Sequence, residues 1–259
     1  MSRHQTEDQA SGVQAILERA YRFRTLAAVF AYPDPGQGEA IRKAMAPLLE
    51  AGPAGAGNGG REALDAFAVA WDGIDEDALR AEYGRLFLGQ TPCPLHAAAY
   101  SGGRTLAGPS AELADISGFY QAFGVDVRED APERPDHLTV ELEFYATLLV
   151  KEAYARFNDW QEPAEVTGDA ARDFLAEHLG RWRGVLTGRL GRFDAGAPFP
   201  ELAAWLDEVL DLECRLRRVA PEPFGDPVAD PMQGDALACP HAGDSGVPRE
   251  QHPLNFTRL

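Results

Sequence analysis

Apolar residues recur every three to four positions along most of this chain, the spacing that marks one face of an amphipathic helix. Val13, Ile16, Leu17, Tyr21, Leu26 and Phe30 predict a helix from residue 11 that halts at Tyr32-Pro33, where proline ends the backbone ladder. Further helices are expected over residues 39–49, from Arg61, and over residues 76–88, the last with Leu79, Tyr83, Leu86 and Phe87 on one side. Between Ser110, a good N-cap, and Gly124, a good stop, another helix fits. The stretch "RPDHLTVELEFYATLLVKEA" (134–153) predicts a helix with Leu138, Leu142, Tyr145 and Leu149 as its core stripe. Residues 169–190 and 200–219 complete the helical set, with Phe174, Trp182, Trp205 and Leu210 expected in the core.

Two stretches break the pattern. "AGPAGAGNGG" (51–60) is too dense in glycine and proline for anything but a flexible loop. "GQTPCPLHAAAYSGG" opens a long ordered loop or hinge over residues 89–109 that divides the helices into two halves. No segment alternates like a strand, and Ala, Leu, Glu and Arg are strong helix formers. The expected fold is therefore all-α: one helical-bundle domain over residues 11–219, its two halves joined by the proline-rich hinge. A disordered lead-in over residues 1–10 and an extended Pro/Gly-rich tail over residues 220–259 flank it.

Bulk properties narrow the location and the partners. No apolar run is long enough to span a bilayer, and the first residues lack the apolar core of a secretory signal. Three widely spaced cysteines suit a reducing compartment, so a cytoplasmic protein is expected. A net charge of −17 repels nucleic acid and favours a cationic partner. The glycines at 52–60 lack the GK[ST] ending of a phosphate loop and follow no strand.

Candidate chemistry gathers at Asp136, His137 and Glu141. Asp136 follows a proline and precedes a helix, so its carboxylate can cap the amide of Leu138 or Thr139. His137 and Glu141 lie four apart, close enough for a hydrogen bond. Alternatively the three form a polar cluster beside a groove, recognising a cationic peptide through charge-assisted pairs. A small metal-dependent enzyme using His137 and Glu141 is the competing reading, although zinc needs three or four ligands. Cys93 and His96 in the loop, with Cys239, His241 and His252 in the tail, could supply them if the tail folds back. A helical adaptor without chemistry is a third possibility. The final residues, "HPLNFTRL", could themselves occupy a peptide groove.

Three segments, in order, resemble the TorD/DmsD/NarJ family of molybdoenzyme maturation chaperones. They are "EYGRLFLGQTPCPLHAAAY" (82–100), "FYQAFGVDVREDAPERPDHLTVELEFYATLL" (119–149), and "FLAEHLGRWRGVLTGRL" (174–190) with Phe174, His178, Leu179 and Trp182. The resemblance covers roughly residues 13–218 and implies an all-helical chaperone without turnover or a cofactor of its own. Its implied partner is the catalytic subunit of a molybdenum-cofactor oxidoreductase, its twin-arginine leader, or both. It also implies client binding through Asp136, His137 and Glu141, with Tyr83, Phe87, Pro92, Pro94 and Tyr100 from the proline loop and the helix before it. Where many relatives carry an aromatic, a glutamate and a serine, this chain has His96, Ala97 and Ala98. A leader or a mature-domain segment therefore both stay open as the ligand, as do a monomer and a domain-swapped dimer.

Overall fold

The computed structural model describes residues 3–51, 59–89, 91–100, 109–125 and 133–225. Its central element is α6 (Leu138–Phe157), a helix of 20 residues. Leu138, Leu142, Tyr145 and Leu149 are fully buried there, as the periodicity predicts, and so are Ala146 and Leu148. A helix apolar over so much of its girth must be enclosed rather than laid on a surface. Helix α1 (Arg3–Phe30) packs along one flank more extensively than any other pair, and α7 (Gln161–Glu177) along another.

The remaining helices are α2 (Gln37–Glu50), α3 (Gly59–Asp72), α4 (Glu76–Phe87), α5 (Pro109–Ala122), α8 (Val185–Arg192) and α9 (Phe199–Arg217). No strand occurs among the described residues; the sole ladder contact is a bridge between His96 and His137. The two halves on either side of the proline loop interleave. Helix α1 lies on α6 and α3 on α9, so one apolar cluster runs from Val13 to Phe224. Phe67 of α3 stacks on Trp205 of α9 at 5.5 Å, and Trp182 and Phe174 are buried as expected. No helix among the described residues is long and apolar enough to cross a membrane.

Several expectations are corrected. The backbone is helical from Arg3 rather than a disordered lead-in to residue 10, because Gln9 donates to the Arg156 carbonyl (2.8 Å) and to Asp159 (2.6 Å) at the end of α6. The buried stripe of α1 holds Val13, Ile16, Leu26 and Phe30 as expected, joined by Ala20, Phe23 and Ala27, and leaves Leu17 and Tyr21 partly exposed. Helix α5 starts at Pro109, which suits a first helical turn, so Ser110 lies inside it. The helix expected over 169–190 divides: α7 ends at Glu177, a 3₁₀ turn spans Leu179–Trp182, and α8 follows Gly184 at φ +76°. The break makes room for the chain beyond α9. A Cβ on Gly180 would collide with the Leu175 carbonyl and the Pro221 ring. Phe224 then docks, its amide donating to the Arg181 carbonyl (2.8 Å) and its ring meeting Trp182. The tail from residue 226 lies outside the described residues.

A buried ionic chain ties four helices together. Glu213 of α9 accepts from Tyr145 of α6 (2.7 Å), Arg19 of α1 (2.8 Å) and Arg217 (3.2 Å). Arg217 also bonds Glu152 of α6 and the Gly168 carbonyl of α7. Removing one partner of such a set strands the opposite charges in the interior, at about 3–5 kcal/mol. Glu213→Ala is therefore expected to lower the unfolding free energy by about 3–5 kcal/mol in a urea titration. Arg156→Ala, at the half-exposed end of the same chain, should cost about 1 kcal/mol or less.

Candidate functional site

The start of α6 is built jointly with the proline loop. The Ala97 amide donates to the Asp136 carbonyl (2.9 Å), and the Leu138 amide donates to the Leu95 carbonyl (2.8 Å). A third bond runs from the Ala98 amide to the Asp136 carboxylate (3.1 Å). Tyr120 of α5 holds the other side by donating to the Pro135 carbonyl (2.7 Å). The loop is also fastened from behind, where the Cys93 amide donates to Leu86 (3.0 Å) and buried Arg189 donates to the Pro92 carbonyl. Leu95 and Cys93 are buried and Tyr100 packs against Trp182 and Phe224. Residues 91–100 of the loop are thus anchored, and residues 90 and 101–108 fall outside the described set.

Asp136 does not cap α6. His137 does: its Nδ1 accepts from the Thr139 amide (3.3 Å) and lies 2.7 Å from Thr139 Oγ1. The reason is competition, since the Ala98 amide and the Arg134 guanidinium (3.1 Å) already claim the Asp136 carboxylate. Glu141 likewise bonds not to His137 but to Trp182, whose indole N–H donates to it at 3.1 Å. His137 instead turns Nε2 toward Glu133 (3.4 Å) and its ring edge toward His96, whose centroid is 4.9 Å away. His96 in turn places Nδ1 3.6 Å from Asp136.

Burial shapes the ionisation of all three. It pushes the Asp136 carboxyl up, but His96, the Ala98 amide and Arg134 outweigh it and hold the group below its usual range. Burial, reinforced by His96 and opposed by Asp136, pulls His137 down to about 3, so its imidazole is neutral at pH 7. Burial drives Glu141 well above the ordinary glutamate value, with Trp182 opposing and Asp136 adding to the rise.

Of the residues predicted for the site, Asp136, His137 and Glu141 are 1%, 4% and 0% exposed, so the cluster faces the interior. Tyr83 donates to the Phe30 carbonyl (3.0 Å) and joins Phe87 and Phe199 in a ring cluster between α4 and α9. Tyr100 belongs to a second ring cluster with Trp182 and Phe224. Pro92 is buried and Pro94 half-buried. The ligand-type side chains gathered around His96 are Glu133 and His137 rather than Cys93, and Cys239, His241 and His252 lie outside the described residues.

A groove of about 460 Å³ lies elsewhere, between α5, α6 and α7. Phe123, Val150, Tyr154, Trp160 and Pro163 line it, with Lys151 at its edge. Tyr154 and Trp160 meet edge to face at 5.5 Å while remaining 59% and 50% exposed. Phe157 of α6 and Val166 of α7 are also exposed apolar side chains. At 1.5 Å per residue, Tyr154 is about 24 Å along α6 from Leu138, so the groove and the Asp136 junction occupy opposite ends of one helix. The sequence signal for the groove is the run "YARFNDW" (154–160), with three large aromatics at a helix end.

The sequence is similar to those of known proteins. A family model described as "Nitrate reductase delta subunit" matches residues 54–188, just over half of the chain. The chlorate reductase assembly chaperone protein of Ideonella dechloratans is 38% identical over 111 residues, covering 42% of this chain and 55% of that protein. The selenate reductase assembly chaperone protein of Thauera selenatis is 36% identical over 111 residues, with the same coverage of 42% and 55%. The chain therefore spans about half the length of these curated relatives. A solved structure described as a putative redox enzyme maturation protein from Archaeoglobus fulgidus superposes with a TM-score of 0.38 at 22% identity, covering 60% of this chain and 90% of that one.

The Glu141 environment has a measurable consequence. A carboxyl raised in the folded state contributes stability that is complete below the unfolded value of about 4.3, and is lost as pH climbs to the folded value. Glu141→Gln keeps an oxygen acceptor for Trp182 and removes the ionisation. Relative to the wild type, this variant should gain stability from pH 5 to pH 7 by up to about 1.4 kcal/mol per unit, measured by urea unfolding. Parallel profiles for the two proteins would contradict the placement of the buried acid.

Proposed function

The chain belongs to the nitrate reductase delta subunit family, and from that premise we propose that it is a system-specific assembly chaperone for a molybdenum-cofactor oxidoreductase. It binds the catalytic subunit, or its twin-arginine leader, before export and while the cofactor is inserted. It performs no catalytic turnover and acts in the cytoplasm. Support comes from the relatives named as assembly chaperones of chlorate and selenate reductases.

The observation that carries the reading is the apolar groove at Tyr154 and Trp160 on a chain of net charge −17. Exposed apolar patches with polar surroundings mark docking surfaces. A twin-arginine leader joins a cationic segment to an apolar one; the groove offers the apolar match, and Glu143 and Glu133 toward the other end of α6 offer carboxylates. The outer stripe of α6 runs Glu143, Thr147, Val150, Tyr154 and Phe157, from the proline-loop junction to the groove. An extended peptide rises about 3.3 Å per residue, so roughly seven residues reach from one end to the other.

In this reading Asp136, His137 and Glu141 act by holding the junction in shape. The groups a client meets there are His96, Glu133 and Arg134, each at least a third exposed. Tyr83, Phe87, Pro92, Pro94 and Tyr100 set the position of the loop that carries His96. A client that opens the loop would meet them directly.

The test is affinity purification of the full chain from its own cell, with identification of bound proteins by mass spectrometry. The expected partner is the catalytic subunit of a molybdenum-dependent reductase. Exchange of both Tyr154 and Trp160 for alanine should reduce its recovery at least about tenfold, as for loss of aromatic anchors at an interface, without lowering the thermal midpoint by more than a few degrees. Absence of any such subunit, or recovery unaffected by the double exchange, would overturn the reading and its placement respectively.

A further inference from the structure

We infer that His96, Glu133 and His137 form a binding site for a borderline divalent transition-metal cation, typified by zinc, at the seam between the proline loop and α6. One ligand atom from each of the three lies within 4.8 Å of the others. The His137 Nε2 to Glu133 Oε2 separation of 3.4 Å already matches the edge of a tetrahedron built on bonds of about 2.0–2.1 Å. His96 closes the triangle from the loop; its side chain is 33% exposed and that of Glu133 36%, so both can move inward by the small distance remaining.

The supporting hydrogen bonds are those that bound imidazoles require. A metal-ligating histidine presents one nitrogen to the ion and donates the other N–H to an oxygen acceptor, which fixes its ring. His137 has an oxygen at hydrogen-bond distance, and His96 has a carboxylate that a small shift of its ring would bring to that distance. His96 directs Nδ1 at the Asp136 carboxylate (3.6 Å), and His137 directs Nδ1 at Thr139 Oγ1 (2.7 Å). In His137 Nε2 is left for the shared centre, where it already faces Glu133. For His137 this is a change of tautomer: the proton moves from Nε2 to Nδ1, the Thr139 hydroxyl turns from donor to acceptor, and the 3.3 Å cap bond from the Thr139 amide is given up. The adjacent cation, Arg134, is turned onto Asp136 at 3.1 Å, which draws part of its charge away from the centre.

Two imidazoles and one carboxylate select a borderline cation over calcium or magnesium, which prefer all-oxygen sets. Three protein ligands leave the fourth position to water or to a donor group of a docked partner. Asp115, Glu177 and His178 form a second cluster of ligand types, but it offers a single imidazole, and its two carboxylates are exposed. The bound ion would staple the loop to α6 at the bridge between His96 and His137. This inference stands independently of the chaperone reading.

The experiment uses the full chain, stripped with a chelator and dialysed against zinc at micromolar concentration, with metal content measured by plasma spectrometry. The wild type should take up one zinc per chain and rise in thermal midpoint. His96→Ala and Glu133→Gln should each bind at least about 100-fold more weakly, beyond the 10–100-fold that losing a supporting hydrogen bond costs, and show no zinc-dependent rise. Glu133→Gln is nearly isosteric, so it carries the test even if the histidine variant folds poorly. Cobalt substituted at the site should show ligand-field bands without an intense thiolate charge-transfer band. No zinc uptake by the wild type, undiminished uptake in Glu133→Gln, or a strong thiolate band would each overturn the assignment.

Discussion

The interaction on which the rest of this structure depends joins the buried carboxylate of Asp136 to the backbone amide of Ala98, across the seam between the proline loop and α6. A carboxylate withdrawn from water is costly unless partners offset its burial. Here the Ala98 amide bonds one oxygen, Arg134 and His96 stand beside the other, and together they hold the group below its usual carboxylate range despite its burial. A charge-assisted bond of this kind contributes about 1.5–3 kcal/mol, enough to fix a loop that has no ladder of its own. The consequences run in both directions. Toward the interior, Leu95, Cys93 and Tyr100 reach their packing positions; toward solvent, His96 is set beside Glu133 and His137.

Helix α6 then transmits that arrangement along its length. One end is polar, cross-braced and rigid; the other carries an apolar groove open to solvent. Between them the ionic chain through Glu152, Arg217 and Glu213 locks α6 to α1, α7 and α9, so the spacing of the two ends is fixed by packing rather than by the loop. A rigid ruler with an apolar site at one end and charged side chains at the other suits recognition of a segment that is itself apolar and charged in turn. Docking on a preformed surface loses less conformational entropy than ordering a loose one.

What the sequence makes legible here follows from how local each determinant is. The buried stripe of α6 and the cores of α4 and α9 follow from spacing alone, because the 3.6-residue period acts within single helices. The family resemblance was likewise readable in the segments around Glu82, Pro135 and Phe174. Capping was misread because Asp136 and His137 are adjacent and both can accept from an amide; only the distant Ala98 decides between them. Glu141 was misassigned for the same reason, since its partner Trp182 is 41 positions away. The split of the helix expected over 169–190 depends on Pro221 crossing Gly180, a contact that no local pattern encodes. The groove went unseen because Tyr154, Phe157 and Trp160 resemble core aromatics until their exposure is known.

The proline loop is clamped to α6, and residue-resolved amide exchange by NMR tests that most directly. The amides of Ala97, Ala98 and Leu138 should exchange as slowly as those in the middle of α6, because each is held in a hydrogen bond across the seam. Exchange of Ala97 and Ala98 at the rate of an exposed loop would contradict it, since a loop free to open cannot hold the junction that everything else is built upon.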